Sequence, residues 1–229
     1  MRRPQSIVSE GCYAQMANLY LDNVAYEGLA DSLAKLTALA VDIPALQEQH
    51  AIDANITMIK NFPPKDDLSA LAASNIAKLA VDAETAAGVI ANGGLTAMCE
   101  ALSNMLISEE TEEALHILQS MEGMLKLVDA VELDDFGTTL LVESVKMREE
   151  PVLVAQAMQT IGMFCKFDAA FCSKFVTKNG LNETLRVLEH FATSQPAMSA
   201  PAMAIVTSLC GKVPAEANWP RRCLRRVPT

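Results

Sequence analysis

Five stretches of the chain carry apolar residues at the spacing of one helix face: about 25–41, 66–81, 109–128, 151–167 and 196–211. Four of them follow a helix-start signal, namely Pro64-Lys-Asp-Asp67, Ser108-Glu-Glu110, Glu149-Glu-Pro151 and Ser194-Gln-Pro196. Proline suits a first helical turn because its missing N–H has no partner there, and serine or acidic residues suit the positive end of the helix dipole. The period-two alternation that marks strands is scarce. The pattern predicts an all-α chain.

Between these long helices a second signal recurs. Ile90-Ala-Asn-Gly-Gly94-Leu95, Leu133-Asp-Asp-Phe-Gly137 and Val176-Thr-Lys-Asn-Gly180-Leu181 place Gly94, Gly137 and Gly180 at intervals of 43. Asn55 and Gly11 continue the register backwards, asparagine being the best substitute for glycine where φ is positive. The residues four before these bends, Ile7, Ala51, Ile90, Leu133 and Val176, are all apolar. The unit so defined is a short helix, a bend, a second helix, a loop and a long third helix. Such a unit cannot bury its apolar face alone, and stacking on its neighbours would make one continuous core. The boundaries follow: a partial repeat at 1–41, four repeats at about 42–81, 82–128, 129–167 and 168–212, and a basic Pro/Arg tail at 213–229, expected to be disordered.

Composition agrees with helix. Hydrophobic residues make up 51% and aromatics only 5%, with alanine, leucine and methionine abundant. Charge adds an asymmetry. The net charge is −10, yet Arg2 and Arg3 and the tail (four arginines, one glutamate) are basic, so the residues between them carry −15. Such a body repels phosphate backbones, which argues against nucleic acid, and suits a basic partner; it equally serves solubility. No apolar run approaches 18 residues, so no membrane span is expected.

Candidate chemistry is thin. The six cysteines, Cys12, Cys99, Cys165, Cys172, Cys210 and Cys223, form no CxxC pair, and free thiols in helical patterns fit a reducing, cytoplasmic setting with nuclear, cytoskeletal or ciliary association open. Cys165-x6-Cys172 lacks the second close pair a zinc site needs. His50, His116 and His190 fall in different units without ligands at metal spacing. Gly93-Gly94 has no phosphate-loop frame, and no nucleophile elbow is visible. No cofactor, metal or enzymatic activity is expected. Glu109-Glu-Thr-Glu-Glu113 reads as service to a helix dipole or as a clasp for a basic peptide, and Met98, Met158 and Met163 as core filler.

The run Leu68-Ser-Ala-Leu-Ala-Ala-Ser-Asn75-Ile-Ala-Lys-Leu-Ala-Val-Asp82, continued by Ala83-Glu-Thr-Ala-Ala-Gly-Val-Ile90-Ala-Asn-Gly-Gly94-Leu95, resembles the armadillo repeat family, as does Phe167-Asp-Ala-Ala-Phe-Cys-Ser-Lys-Phe-Val-Thr-Lys-Asn-Gly180-Leu181. The likeness spans roughly 7–212 and is weakest over Asp129–Lys166. It implies a right-handed α-solenoid whose third helices line a concave groove that binds extended peptides, with groove asparagines holding the ligand backbone. Asn75 matches that asparagine; Lys35 and Ile161 stand at the matching places of other units, and Leu71 where nuclear import adaptors carry tryptophan. The asparagine array is not repeated and the tryptophan array is absent. The residues expected to meet a partner are Asn75, Leu71, Lys78, Lys35 and Gln159.

The expected function is therefore a monomeric scaffold that binds a segment of another protein. A regulator clamping a folded partner, in the manner of chaperone or small-GTPase exchange factors, is the alternative. The ends suggest a piece of a longer array or a truncated product with an unrelated tail, against a short natural protein with a basic docking tail.

Overall fold

The computed structural model of the protein describes residues 11–48, 50–62, 66–191 and 194–213. These residues form thirteen α-helices and one 3-10 turn, with no strand among them. The chain is all-helical, as its apolar periodicity predicts. It divides into two compact units, Met1–Val128 and Asp129–Thr229.

The first unit holds α1 (Cys12–Asp22), α2 (Glu27–Leu39), α3 (Ile43–Glu48), α4 (Ala51–Asn61), α5 (Asp66–Leu79), α6 (Ala83–Ala91), α7 (Gly94–Ser108) and α8 (Thr111–Leu125). They pack in two layers. In one, α4 lies against α1 and α7; in the other, α5 lies against α2 and α8. The short α3 and α6 each pack against α5 and one helix of the first layer. Core side chains come from both layers: Tyr13 and Tyr20, Met58 and Ile59, and Met98 from one, Leu33, Ile76, Leu79 and Met121 from the other, all fully buried. Burial of such residues at about 25 cal/mol per Å² of apolar surface is what stabilises the layers. Buried polar bonds span them as well, one between the Tyr13 hydroxyl and Thr37 Oγ1 at 2.7 Å and one from the Asn75 amide to Asn55 Oδ1 at 3.0 Å.

The second unit holds α9 (Asp135–Lys146), α10 (Pro151–Phe167), α11 (Ala169–Thr177), α12 (Gly180–Phe191) and α13 (Ser199–Lys212), with the 3-10 turn Pro196–Met198 before α13. The same pairing recurs: α9 packs on α12, and α10 on α13. Phe164, Phe171 and Phe175 stack in sequence, with ring centroids 5.1 and 5.9 Å apart. Helix starts follow their sequence signals. Pro151 occupies the first turn of α10, and the Asp82, Asp134 and Asp168 carboxylates accept backbone N–H groups at the starts of α6, α9 and α11.

The bends differ from the expected register. Positive φ occurs at Gly11, His50, Gly93 and Asn179, one residue before the next helix, and also at Glu109. Asn55 is not a bend at all. It lies within α4, fully buried, and donates to the Ala51 carbonyl at 2.8 Å. Gly94 and Gly180 are first helical residues, and glycine stands there for another reason. A Cβ at Gly94 would lie 2.5 Å from Val89 Cγ1, and one at Gly180 would lie against the Phe175 ring. The preceding short helix packs too closely onto the bend to admit a side chain. Gly137 is the third residue of α9, and the segment 129–134 before it forms no short helix. Met98 and Met158 are fully buried as expected, and Met163 is half-buried. The tail from residue 214 onward, expected to be disordered, lies outside the described residues.

Candidate functional site

Helices α5 and α8 of the first unit expose one face each. On α5, Leu68, Ala72, Ala73, Ile76 and Leu79 turn inward, while Asp67, Leu71, Ser74, Ala77 and Lys78 fall on the opposite side at helical spacing. On α8, Ala114, Ile117, Leu118 and Met121 turn inward, leaving His116 and Gln119 outside. The two outer faces bound an open groove of about 700 Å³. Asp67, Ala70, Leu71, Ser74, Ala77 and Lys78 of α5 and His116, Gln119 and Ser120 of α8 line it. Small side chains on α5 keep the groove wide, because neither alanine nor serine reaches across to α8.

Of the residues expected to meet a partner, Leu71 and Lys78 line this groove. Asn75 does not. It is only 2% exposed, and its side-chain amide donates to the Ala34 carbonyl at 2.9 Å and to Asn55 Oδ1 at 3.0 Å. Both amide hydrogens are therefore used inside the chain. The bond to Ala34 ties α5 to α2, and the bond to Asn55 ties it to α4. Asn75 is a clamp between layers, and its expected contact with a partner's main chain is corrected on that ground. Lys35 is exposed on α2 and pairs with Asp31 at 2.8 Å. Gln159 is exposed on α10, in the second unit.

Lys78 is engaged more than its place on the groove suggests. Its ammonium donates to the carbonyls of Thr37, Ala38 and Ala40 at 3.0, 2.8 and 2.7 Å. These carbonyls lie at and just past the C-terminal end of α2, where the negative end of the helix dipole falls; that of Thr37 also accepts the Ala40 N–H at 3.3 Å. Partial burial pulls the Lys78 pKa below the usual lysine range. Lys212 repeats the arrangement in the second unit, donating from the end of α13 to the Lys166 carbonyl near the end of α10 at 2.6 Å. Lys78→Met keeps the stem and removes all three donors. Its expected cost is about 1–2 kcal/mol, read from urea unfolding: hydrogen bonds to charged groups contribute about 1.5–3 kcal/mol, and solvent at the partly exposed Lys78 reduces that. An unchanged unfolding midpoint would show that water replaces the ammonium without loss.

Sequence reasoning missed Asp67, Ala70, Ser74, Ala77, His116, Gln119 and Ser120 as groove residues. A signal for three of them was present. The starts of α5 and α8, Asp66 and Thr111, are 45 apart, which carries Leu71, Ser74 and Asn75 onto His116, Gln119 and Ser120. The acidic run 109–113 lies at the helix boundary: Glu109 ends α7, Glu110 holds the N-cap position of α8 without a side-chain capping bond, and Glu112 and Glu113 lie in its first turn. Among the described residues, no group of three or more His, Cys, Asp or Glu could hold a metal ion, and no helix is long and apolar enough to cross a membrane.

No family model matches the chain, and no curated protein matches it. Among solved structures, it is similar to a crystal structure of an engineered protein, a Northeast Structural Genomics Consortium target, with a TM-score of 0.63 at 13% identity, over 90% of this chain and 83% of that one. At that identity the likeness is one of fold alone.

Proposed function

We propose that the chain is a protein-interaction scaffold of the armadillo type, a right-handed α-solenoid that receives a segment of another protein along its third helices. The observation that carries this reading is the open groove along α5 and α8, lined by small and polar side chains. Support for the repeat comes from the recurrence of short, second and third helices and from like packing on like, α5 between α2 and α8 and α10 on α13. The groove offers shape and hydrogen-bonding groups without a convergent set of reactive residues, which suits binding better than catalysis. Charge indicates the partner. Residues 11–128 hold 16 acidic side chains and 5 basic ones, so a basic segment is favoured electrostatically. We place this monomeric scaffold in the cytoplasm, where its free thiols would stay reduced.

The test fills the groove. Ser74→Arg and Gln119→Arg add bulk and positive charge on exposed positions of α5 and α8, while Asp53→Arg changes exposed α4 outside the groove. Proteins captured from a native extract by the unmodified chain should be lost by about tenfold or more from both groove variants, the effect of removing a binding hot spot. They should remain on Asp53→Arg, with melting temperatures unchanged. Equal capture by all four proteins would overturn the groove as the docking surface.

A further inference from the structure

The ends of α2 and α5 share a sequence and a capping bond. Leu39-Ala-Val-Asp42 recurs as Leu79-Ala-Val-Asp82, and the Ala40 N–H bonds to Leu36 as the Ala80 N–H bonds to Ile76. What fills the two ends differs. At α2 the Thr37, Ala38 and Ala40 carbonyls converge on the Lys78 ammonium. The carbonyls at the matching places of α5 are those of Ala77, Lys78 and Ala80. The Val81 and Asp82 amides, which would continue the helix onto Ala77 and Lys78, bond instead to Thr85 Oγ1 at 3.1 and 3.2 Å. Among the described residues no side chain donates to any of these three carbonyls, while Gln47 Nε2 takes that of Leu79.

The side chain that would supply an ammonium is missing from α8. The starts of α5 and α8 are 45 apart, so the place of Lys78 falls on Gly123. Gly123 lies one turn beyond Gln119 and Ser120, on the groove side of α8. It is exposed, and a Cβ there would meet nothing within 4 Å. Glycine inside a helix weakens it, and no close packing demands one here. In the second unit Lys212 repeats the contact of a lysine with an earlier helix end, on the Lys166 carbonyl.

We propose that the C-terminal end of α5 is a binding site for a lysine of the partner segment, seated there as Lys78 is seated on α2. This rests on the groove as the docking surface and adds which side chain that surface selects. Three carbonyls around one point suit an ammonium, a compact charge with three N–H donors. A guanidinium holds its donors in a flat fork and cannot turn three of them to one point. The negative end of the α5 dipole and the exposed Asp82 carboxylate favour the charge. The open space over Gly123 gives the stem its path.

Two measurements test the site. In a crystal structure of Gly123→Lys the new ammonium should sit within hydrogen-bond distance of the Ala77, Lys78 and Ala80 carbonyls; an ammonium left in solvent overturns the site. For binding, short blocked peptides with lysine, Nε-acetyl-lysine or arginine fixed at the centre and all other positions random are passed over the immobilised full chain. Lysine peptides should be retained about tenfold over Nε-acetyl-lysine and about threefold over arginine, the gain of charge-assisted bonds with the right geometry. Gly123→Lys should abolish the preference for lysine over arginine. Gly123→Met, which adds a stem without charge, and Asp53→Arg, which adds positive charge outside the groove, should keep it. Equal retention of lysine and arginine peptides by the unmodified chain overturns the lysine site. If Ser74→Arg still releases the peptides in that case, the groove stands without it; if Ser74→Arg also changes nothing, both fall.

Discussion

Asn75→Ala should destabilise the first unit by about 2–3 kcal/mol and leave partner binding intact at temperatures where that unit is still folded. The cost follows from what the amide holds. With Asn75 gone, the Ala34 carbonyl loses one bond and Asn55 Oδ1 loses its buried donor, and a buried polar group left unsatisfied costs about 1–3 kcal/mol. In a chain of this size each kcal/mol moves the melting temperature by roughly 2–4 °C. Asn75→Asp should be worse, because it sets a carboxylate against two oxygens. The measurement pairs thermal melting with capture on the folded protein. Loss of capture without loss of stability would return Asn75 to the role that its sequence position suggests, as a ligand contact.

The second large effect is expected at Glu183, in the second unit. This carboxylate is 2% exposed on α12 and accepts from Arg148 at 2.6 Å and from Arg186 at 2.7 Å, with the Asn179 amide at 3.3 Å. Arg148 lies in the turn between α9 and α10, so its bond fastens that turn to α12. Breaking a fully buried pair by removing one partner costs about 3–5 kcal/mol, because the other charge is left without compensation. The Arg148 side chain is 31% exposed and can recover some hydration, which lowers the expectation for Glu183→Ala to about 2–4 kcal/mol. Adding Arg148→Met to that variant should cost less than the two changes summed, since the stranded charge is gone. Additive losses in urea unfolding would show that the pair is not coupled and that Glu183 matters only for its packing.

Element type was readable wherever an apolar stripe was long. The expected third helices at 25–41, 66–81, 151–167 and 196–211 correspond to α2, α5, α10 and α13 within a few residues, and 109–128 to α8. The bends were less readable, because two physical reasons for glycine look alike in sequence. Gly11 and Gly93 answer to a left-handed backbone, Gly94 and Gly180 to crowding by Val89 and Phe175. Counting Gly11, Gly94, Gly137 and Gly180 in one register made Asn55 a bend, when it is a buried helical residue bonded to Asn75. The missing short helix at 129–134 was foreshadowed only by the weak resemblance of that unit.

The candidate groove was half legible. A helix that hides Leu68, Ile76 and Leu79 must expose Leu71, Ser74 and Lys78, so the outward face of α5 follows from spacing alone. What spacing could not convey is how each side chain spends its hydrogens. Asn75 and Lys78 both read as contacts waiting for a ligand, and both turn their donors to carbonyls of α2, some forty residues earlier in the chain. Those bonds depend on which helices become neighbours, which no local pattern contains.

The left-handed residues at the bends bear on how histidine at position 50 should be judged across evolution. Its torsion, with φ of 62°, is one that glycine adopts without penalty, and the matching bends hold Gly11, Gly93 and Asn179. What the bend demands is the torsion, and the imidazole adds only an exposed contact with Asp53 at 3.6 Å. Orthologues should drift there among glycine, asparagine and histidine, and such drift would be no sign of changing chemistry.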